Sequence, residues 1–262
     1  MSKENPFVTI ITPNFNGEKY LEETIKSVLN QTNQDFEYIL FDACSDDGSI
    51  DILKKYETKI DNLIIEKDKG VYDAIDKGIQ IAKGEVILWI NSDDTLHEDA
   101  VSNIIKIFQT EDVDWISGIN GYIKGNIKFS GISYFYPTLI VRNGLAHHNF
   151  WGFIQQESTV FRKSLYISAG GFKKPIGNAG DYHLWKNFSQ KKNLHSFHIK
   201  IGYFRTWAGQ SSQIQINEYY KDTGFEKNFF SFRIFRLIFS LMLFPYIYIK
   251  TYFVLNKYKK EE

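Results

Sequence analysis

The segment VILWINSDD, from Val86 to Asp94, places two adjacent acids directly behind an apolar stretch that predicts a buried strand. Three further apolar stretches also end in polar side chains: 8–11 before Asn14 and Asn16, 38–41 before Asp42, and 64–65 before Asp68. Strands of an open parallel sheet share one carboxyl edge, where ligands bind. The sequence therefore predicts an α/β fold in which residues far apart along the chain meet at one site.

Amphipathic helical segments alternate with these strands, as in the βαβ units of a parallel sheet. The predicted helices span 18–29, 50–59, 71–82 and 98–108, and Ser49 is a candidate cap for the second. A fifth strand is predicted at 114–117, followed by a hairpin at 118–131 that turns at 124–126. Two later helices are predicted at 164–169 and 181–189. We expect residues 1–224 to form one domain.

Length, composition and charge indicate the size of the domain and the kinds of partner to expect. The 262 residues suffice for one large α/β domain with an appendage. Lysine and arginine together number 31, and so do aspartate and glutamate, so bulk charge gives no support for a nucleic-acid partner. The single cysteine, Cys44, can form neither an internal disulfide nor a zinc site. With no apolar export segment before the first strand, we expect a cytoplasmic protein.

The last segment, 225–262, differs from the rest of the chain. Residues 237–249 are apolar apart from Ser240 and the tyrosines, Pro245 interrupts them, and no acid occurs between 227 and 260. A spanning helix needs about 20 apolar residues, so this stretch is short for a crossing. Its basic and aromatic character predicts a helix or helical hairpin that lies in a membrane surface. The alternative is a helix packed on the main domain.

Acids that follow two of the predicted strands indicate ligand binding. Asp93 and Asp94 would repel each other unless a cation or water offsets their charge, and oxygen-rich clusters suit hard divalent cations. The alternative for this pair is a solvated loop before a helix, where acids are common. Asp42, at the end of the second strand, can accept a hydrogen bond from a nucleobase N–H or can be an ordinary turn residue.

Two further segments suit phosphate and proton transfer. Residues 68–73 combine Lys69 and Gly70 with the start of a helix, which suits a diphosphate. Asp181 opens a later helix, where it can serve as a general base or simply as an N-cap. Neither a GxxxxGK[ST] loop nor a GxGxxG turn occurs at a strand–helix junction, which disfavours NTPases and dehydrogenases.

Seven ordered blocks resemble the inverting, nucleotide-sugar-dependent glycosyltransferases of family 2, which have the GT-A fold. The blocks lie at 12–16, 42–49, 68–74, 91–94, 156–159, 170–172 and 179–185. The third block is most similar to a bacterial subgroup that builds surface polysaccharide, such as colanic acid or O-antigen. The resemblance implies a Rossmann-like, mostly parallel sheet flanked by helices.

The resemblance also implies roles for individual residues. Asp181 is the expected catalytic base, and Asp93 with Asp94 is expected to hold Mn²⁺ or Mg²⁺ on the donor diphosphate. The expected donor-binding residues, with Asp42 reading the nucleobase, are Thr12, Asn14, Asn16, Asp42, Asp68, Lys69, Tyr72 and Ser92. The expected acceptor-binding residues are Gln156, Glu157 and Trp185.

Two positions depart from the family pattern. Asn91 stands where members often have an acid, so metal binding would depend on Asp93 and Asp94 alone. Trp207 stands two residues after Arg205, where many members have a histidine. A metal or phosphate contact would therefore be missing there, or another residue would supply it.

The expected activity is transfer of a sugar from a nucleotide-sugar, with a UDP-sugar as the expected donor, to a hydroxyl of a lipid-linked saccharide with inversion. We expect this at the inner face of the cell membrane, in bacterial surface polysaccharide synthesis. Two alternatives remain open. A sugar nucleotidyltransferase should show a glycine-rich, basic loop near the first strand, and 12–17 has only Gly17 and no basic residue. A non-catalytic nucleotide-binding protein of the same fold would lack the base that Asp181 is expected to supply.

Overall fold

The computed structural model describes residues 5–147, 150–172, 177–210, 215–224 and 232–257. Within these ranges the strands are β1 Val8–Asn14, β2 Phe36–Asp42, β3 Asn62–Ile65, β4 Val86–Trp89, β5 Thr95–Leu96, β6 Trp115–Lys124, β7 Ile127–Ser133, β8 Thr159–Arg162 and β9 His195–Thr206. They form one nine-stranded sheet in the order β3-β2-β1-β4-β8-β6-β9-β5, with β7 paired to β6.

Helices pack on both faces of this sheet. They are α1 Glu18–Leu29, α2 Ser49–Tyr56, α3 Val71–Ile81, α4 Ala100–Thr110, α5 Thr138–Arg142, α6 Lys163–Ser168, α7 Gly180–Lys191, α8 Ile216–Thr223 and α9 Arg233–Lys257. A 3₁₀ turn, Glu57–Lys59, continues α2 to the predicted end of that helix. The α/β class predicted from the sequence is confirmed.

The first four strands of the order are parallel and define the predicted edge. β1 pairs with β2 and β4, and β2 pairs with β3. The register sets Asn14 directly opposite Asp42, each being the last residue of its strand. The segment Asn91–Asp94 follows β4 at the same edge, because β4 runs parallel to β1.

The other half of the sheet is mixed. β8 lies antiparallel between β4 and β6, and β9 runs parallel to β6. The strand predicted at 114–117 continues to Lys124, and its hairpin turns at 125–126, inside the predicted turn. The 12-residue strand β9 was not predicted from the sequence, although it carries Arg205 to the edge where the acids lie.

The proposed cap of α2 is wrong. Ser49 makes no side-chain capping bond; its Oγ instead accepts a hydrogen bond of 3.1 Å from the backbone N–H of Gly17, at the start of α1. The hydroxyl therefore joins the loop after β1 to the loop after β2. Both loops belong to the predicted site, so this bond fixes their relative position.

The C-terminal segment forms one helix of 25 residues, α9, which continues through Pro245. This corrects the prediction of a short apolar stretch: α9 is long and apolar enough to cross a membrane by length and composition. One face of the helix also packs on the sheet, since the backbone N–H of Phe135 donates to Ser240 Oγ at 3.0 Å. Val254 joins the core beside α4 and β9.

Candidate active site

The carboxylate of Asp42 is held in place from both sides. Asn14 Nδ2 donates to its Oδ2 at 2.7 Å, while the N–H of Ser45 donates to Oδ1 and the Ser45 hydroxyl to Oδ2, each at 2.8 Å. Asp42 itself is fully buried at the end of β2. Asn14 therefore acts by orienting Asp42, because the strand register brings the two side chains together.

Hydrogen bonds of Asn16 join the loop after β1 to the loop after β2. Its N–H donates to Ser45 Oγ at 2.9 Å, and its Oδ1 accepts from the N–H of Asp46 at 3.0 Å. Asn16 and Cys44 both adopt a positive φ, 51° and 62°, which is rare for residues other than glycine. The hydrogen bonds between these two loops stabilise the backbone beside Asp42.

Asp93 and Asp94 are held against the end of β9. The backbone N–H of Arg205 donates to Asp94 Oδ1 at 2.7 Å, and its side-chain Nε donates to the carbonyl of Asp93 at 2.7 Å. Arg205 also pairs with Glu23 at 2.6 Å. Trp207 Nε1 donates to Asp93 Oδ2 at 2.9 Å. The arginine and the tryptophan of β9 and its following loop thus orient both acids.

Glu157 completes an acidic cluster with this pair. It is buried and hydrogen-bonded to Asp94, and burial raises its pKa to about 7, with the charges of Asp93 and Asp181 adding to the rise. Burial and the charge of Glu157 raise the pKa of Asp94 well above its ordinary value. Burial also raises the pKa of Asp93, against the hydrogen bond from Trp207. Glu157 therefore lies within electrostatic reach of Asp93, Asp94 and Asp181.

Asp181 lies at the start of α7, on the other side of Glu157. Tyr72 Oη donates to its Oδ1 at 3.1 Å, and the N–H of Tyr182 donates to the same oxygen at 2.8 Å. Burial raises the pKa of Asp181, against these two hydrogen bonds. Gly180 admits the Tyr72 ring, because a Cβ at Gly180 would lie 2.6 Å from Tyr72 Cδ2.

The structure brings the predicted donor and acid residues to one region. A Cβ at Gly17 would collide with Asn14 Oδ1 and lie 2.9 Å from Ser92 Oγ, so the loop after β4 adjoins the loop after β1. The pKa of Glu157 responds to both Asp93 and Asp181, which links the acid pair to the start of α7. Packing at Gly17 thus places Ser92 near Asn14, and charge interactions link Glu157 to Asp93 and to Asp181.

The cluster of Asp93, Asp94 and Glu157 fits a divalent cation. Three carboxyl groups share a buried volume, and burial raises the pKa of each, so a cation would relieve an excess of negative charge. Oxygen donors of this kind suit Mg²⁺ or Mn²⁺. Among the described residues, however, the set of three whose possible ligand atoms all lie within 4.8 Å of one another is His97, Glu98 and Asp99, so the carboxylate oxygens of Asp93, Asp94 and Glu157 are more widely spaced.

Four residues predicted to contact ligands make contacts within the protein. Thr12 is fully buried within the sheet, where Tyr38 Oη donates to its hydroxyl at 3.2 Å. Gln156 is buried, donates to the carbonyl of Trp89 at 2.5 Å and accepts from Asn91 at 3.2 Å. It therefore helps to hold the loop after β4, and the binding roles of both residues stay predictions.

The other two of these residues are Trp185 and Glu157. Trp185 is 3% exposed and stacks on Trp89 and Trp115, with ring centroids 5.4 and 5.8 Å apart, so it belongs to the core. Glu157 is 4% exposed and hydrogen-bonded to Asp94, which groups it with the candidate cation ligands. An acceptor-binding role for these two residues stays a prediction.

Asp68 and Lys69 lie in the turn that leads into α3. The N–H of Gly70 donates to Asp68 Oδ1 at 2.9 Å, and the N–H of Lys69 donates to Asp73 Oδ2 at 3.2 Å. Gly70 has a φ of 114°, which favours glycine, and it precedes the first residue of α3. The Lys69 side chain is exposed, so it is available to a diphosphate at this helix start.

Comparisons with known proteins agree with this architecture. The sequence matches the family described as Glycosyl transferase family 2 over residues 9–170. A glycosyltransferase of Bacillus subtilis (strain 168), named for teichuronic acid biosynthesis, is 39% identical over 103 residues, 38% of this chain and 40% of that relative. The chain spans 32% to 40% of the length of three curated relatives that it matches.

Two solved structures share the fold. The crystal structure of S. aureus TarS 1-349 in complex with UDP-GlcNAc has a TM-score of 0.63 at 18% identity, over 78% of this chain and 59% of that one. The mannosyltransferase PcManGT from Pyrobaculum calidifontis, in complex with GDP-Man and Mn²⁺, has a TM-score of 0.62 at 15% identity, over 99% of this chain and 77% of that one. The predicted GT-A fold is confirmed. Since the family match covers more than half of the sequence, this chain belongs to glycosyl transferase family 2.

Proposed function

We propose that this protein transfers a sugar from a nucleotide-sugar, with a UDP-sugar as the donor, to a hydroxyl of a saccharide acceptor, inverting the anomeric carbon. The observation that carries the proposal is the position of Asp42 and of the Asp93–Asp94 pair after parallel strands at one edge of the sheet, with Glu157 within electrostatic reach of both Asp93 and Asp181. These residues lie at separate strand and helix ends. TarS, crystallised with UDP-GlcNAc, gives further support for the donor class through its shared fold.

The donor occupies the part of this region next to Asp42. Asn14 and Ser45 fix the Asp42 carboxylate with hydrogen bonds of 2.7 to 2.8 Å, which leaves the carboxylate oriented to accept from a nucleobase N–H. Asn16 holds the adjoining loop, and Lys69 at the start of α3 supplies positive charge for the diphosphate. A divalent cation held by Asp93, Asp94 and Glu157 would stabilise the charge of the departing nucleoside diphosphate.

Asp181 is the proposed general base. Its Oδ1 is occupied by Tyr72 and Tyr182, so Oδ2 is the oxygen that can take a proton from the acceptor hydroxyl. Burial raises the pKa of Asp181, which makes the ionised carboxylate a stronger base. The deprotonated oxygen then forms a bond to the anomeric carbon as the bond to the diphosphate breaks.

The acceptor is proposed to be a lipid-linked saccharide in bacterial surface polysaccharide synthesis. Support comes from the relative named for teichuronic acid biosynthesis and from the long apolar helix α9. An acceptor anchored in a membrane would match an enzyme that works at the cytoplasmic face of that membrane.

The substitution Asp181→Asn tests this function. Loss of a general base should lower turnover by about 10²–10⁴-fold. Donor binding, measured by calorimetry with UDP and Mn²⁺, should change little, because Asp181 is not among the residues proposed to bind the donor or the cation. As a control, Asp93→Ala should weaken the binding of UDP and Mn²⁺ together. Wild-type turnover by Asp181→Asn would show that Asp181 is not the base.

The assay is release of nucleoside diphosphate from a panel of donors, with membrane extract as the acceptor source. A sugar nucleotidyltransferase would release pyrophosphate or consume nucleoside triphosphate instead. A non-catalytic nucleotide-binding protein would bind UDP without turnover. Each outcome identifies one of the three classes.

A further inference from the structure

The helix α9 turns polar side chains towards the protein and apolar side chains outward. Its buried residues are Arg236, Ser240, Ile247, Thr251 and Val254, which recur at intervals of 4, 7, 4 and 3 and so form one stripe. Several apolar side chains on the opposite side are strongly exposed. Among them are Ile234 at 72%, Met242 at 71%, Phe253 at 68% and Tyr246 at 67% exposure.

The inward stripe is fixed to the domain by specific contacts. His198 donates its backbone N–H to Thr251 Oγ1 at 2.8 Å, near the C-terminal end of the helix. The Arg236 guanidinium lies 3.9 Å from the centre of the Tyr134 ring near the other end. Between them, Ser240 accepts from Phe135, and Lys250 pairs with Glu111 at 3.4 Å. The helix is therefore held along most of its length.

The outward face has the chemistry of a membrane–water interface. Tyr246, Tyr248 and Tyr252 are exposed among aliphatic residues, and such amphipathic rings are enriched at that interface. Arg233 and Lys257 are exposed at the two ends of α9, which contains no acid. Exposed basic residues next to an apolar face attract anionic lipids. The same helix of a second copy would present only like charge.

We propose that the outward face of α9 binds the surface of an anionic phospholipid bilayer, with the helix axis parallel to the membrane plane. A helix of this length, about 37 Å, could cross a bilayer. Crossing would, however, strip Arg236, Ser240 and Thr251 of their partners and place them in hydrocarbon, where unsatisfied polar groups are costly. The proposal rests on the proposed function only in that a lipid-linked acceptor would lie in the same bilayer.

The test uses the full chain and flotation with lipid vesicles. Wild-type protein should float with vesicles of phosphatidylcholine mixed with phosphatidylglycerol, and less with phosphatidylcholine alone. The double substitution Met242→Glu with Phe253→Glu should weaken binding at least about tenfold, because two buried apolar contacts with lipid are lost. The matched control is Ile81→Glu with Ile167→Glu, which places the same charges at apolar residues 46% and 64% exposed on α3 and α6. It should float like the wild type.

The results of these experiments distinguish a lipid surface from a second copy of the chain as the partner of the outward face of α9. Equal flotation of both double variants, or no flotation of the wild type, would overturn the proposal. So would a wild-type dimer in light scattering that Met242→Glu with Phe253→Glu converts to monomer, since the face would then be a self-interface. Thermal melting of each variant confirms folding before flotation is compared.

Orientation and activity need separate readouts. Alkaline carbonate should release the protein from cell membranes if α9 lies in the membrane plane, and retention would contradict that orientation. Release of UDP with a water-soluble saccharide acceptor should be unaffected by the Met242→Glu, Phe253→Glu double substitution. If the wild type floats but shows no turnover with any donor, the proposed function fails while the membrane surface stands.

Discussion

At the scale of single residues, Trp207 orients one member of the acid pair, Asp93. It occupies the position where the family pattern favours histidine, and its indole N–H donates to Asp93 Oδ2 at 2.9 Å. This bond lowers the pKa of Asp93, against the effect of burial. Trp207 therefore orients a candidate cation ligand from the side, rather than acting as a ligand.

Replacing Trp207 tests this orientation. Trp207→Phe keeps a ring beside Tyr20 but removes the N–H, so Asp93 loses a hydrogen bond to a charged group worth about 1.5–3 kcal/mol. We expect Mn²⁺ affinity, measured by calorimetry in the presence of UDP, to fall about tenfold or more. Trp207→His restores a ring N–H and should recover part of the loss. Unchanged affinity in Trp207→Phe would show that the bond has no effect on the cation site.

The raised pKa of Glu157 predicts a pH dependence of stability in the metal-free protein. Its pKa rises from an ordinary value of 4.5 to about 7 on folding, so the folded state binds more protons than the unfolded state between these values. Stability should therefore fall as pH rises from about 4.5 to about 7, by up to about 3 kcal/mol for this group. Below this window the stabilisation is fully present.

The measurement is the melting temperature in EDTA across that pH range, compared with Glu157→Gln. The variant should lack this part of the decline, so the difference between the two curves reports Glu157 together with the Asp94 titration that its charge affects, and it excludes the histidines, whose lowered pKa values act in the opposite direction. Added Mn²⁺ should flatten the wild-type curve by stabilising the ionised form. Parallel curves for both proteins would contradict the assigned pKa.

At the scale of elements, the first turn of α7 depends on a close contact with α3. Gly180 opens α7, and Tyr72 packs where its Cβ would be. The substitution Gly180→Ala should displace Tyr72 and remove its bond to Asp181, which lowers turnover on the order of tenfold, the value of one hydrogen bond to a charged group. Gly131→Ala is the control, since its nearest neighbour would be 3.7 Å away. A fall of equal size in both would point to a general effect on folding.

The elements differ in how far the sequence predicts them. The helix α1 occurs at the predicted residues 18–29, because its apolar spacing is regular and Gly17 precedes it. The strand β9 was not predicted, although Phe197, Ile199 and Ile201 alternate with polar residues as in a half-buried strand. Its last residues hold the acid pair, so the missing strand also concealed the role of Arg205.

The site was predicted best where a residue follows its own strand. Asp42 and Asp93 occupy the expected edge because strand direction alone determines it. Glu157 was assigned to the acceptor, because its place beside Asp94 depends on the antiparallel pairing of β8 with β4, which sequence spacing does not reveal. The position of Trp185 in the core was likewise not predicted, since it depends on how α7 packs: the ring stacks with Trp89 and Trp115.

At the scale of the whole molecule, α9 is a structural part of the domain as well as its outer surface. Val254 and Ile247 are buried, and Val254 joins the core beside α4. A chain ending at residue 224 should therefore melt at a lower temperature, since each of these apolar side chains contributes about 1.5–3 kcal/mol when buried. Differential scanning calorimetry of the shortened and full chains measures this. Equal melting temperatures would show that the packed face adds no stability.

The strand β9 bonds to α9 at His198 and to the acid pair at Arg205. His198 and Arg205 are seven positions apart along the strand, a span of about 23 Å in extended backbone. Because one continuous strand makes both connections, the Asp93–Asp94 pair is held at a set distance from the helix. If α9 lies on a bilayer, the enzyme has a fixed reach above the lipid, and the length of saccharide that a lipid-linked acceptor already carries would decide whether its terminal hydroxyl arrives at Asp181.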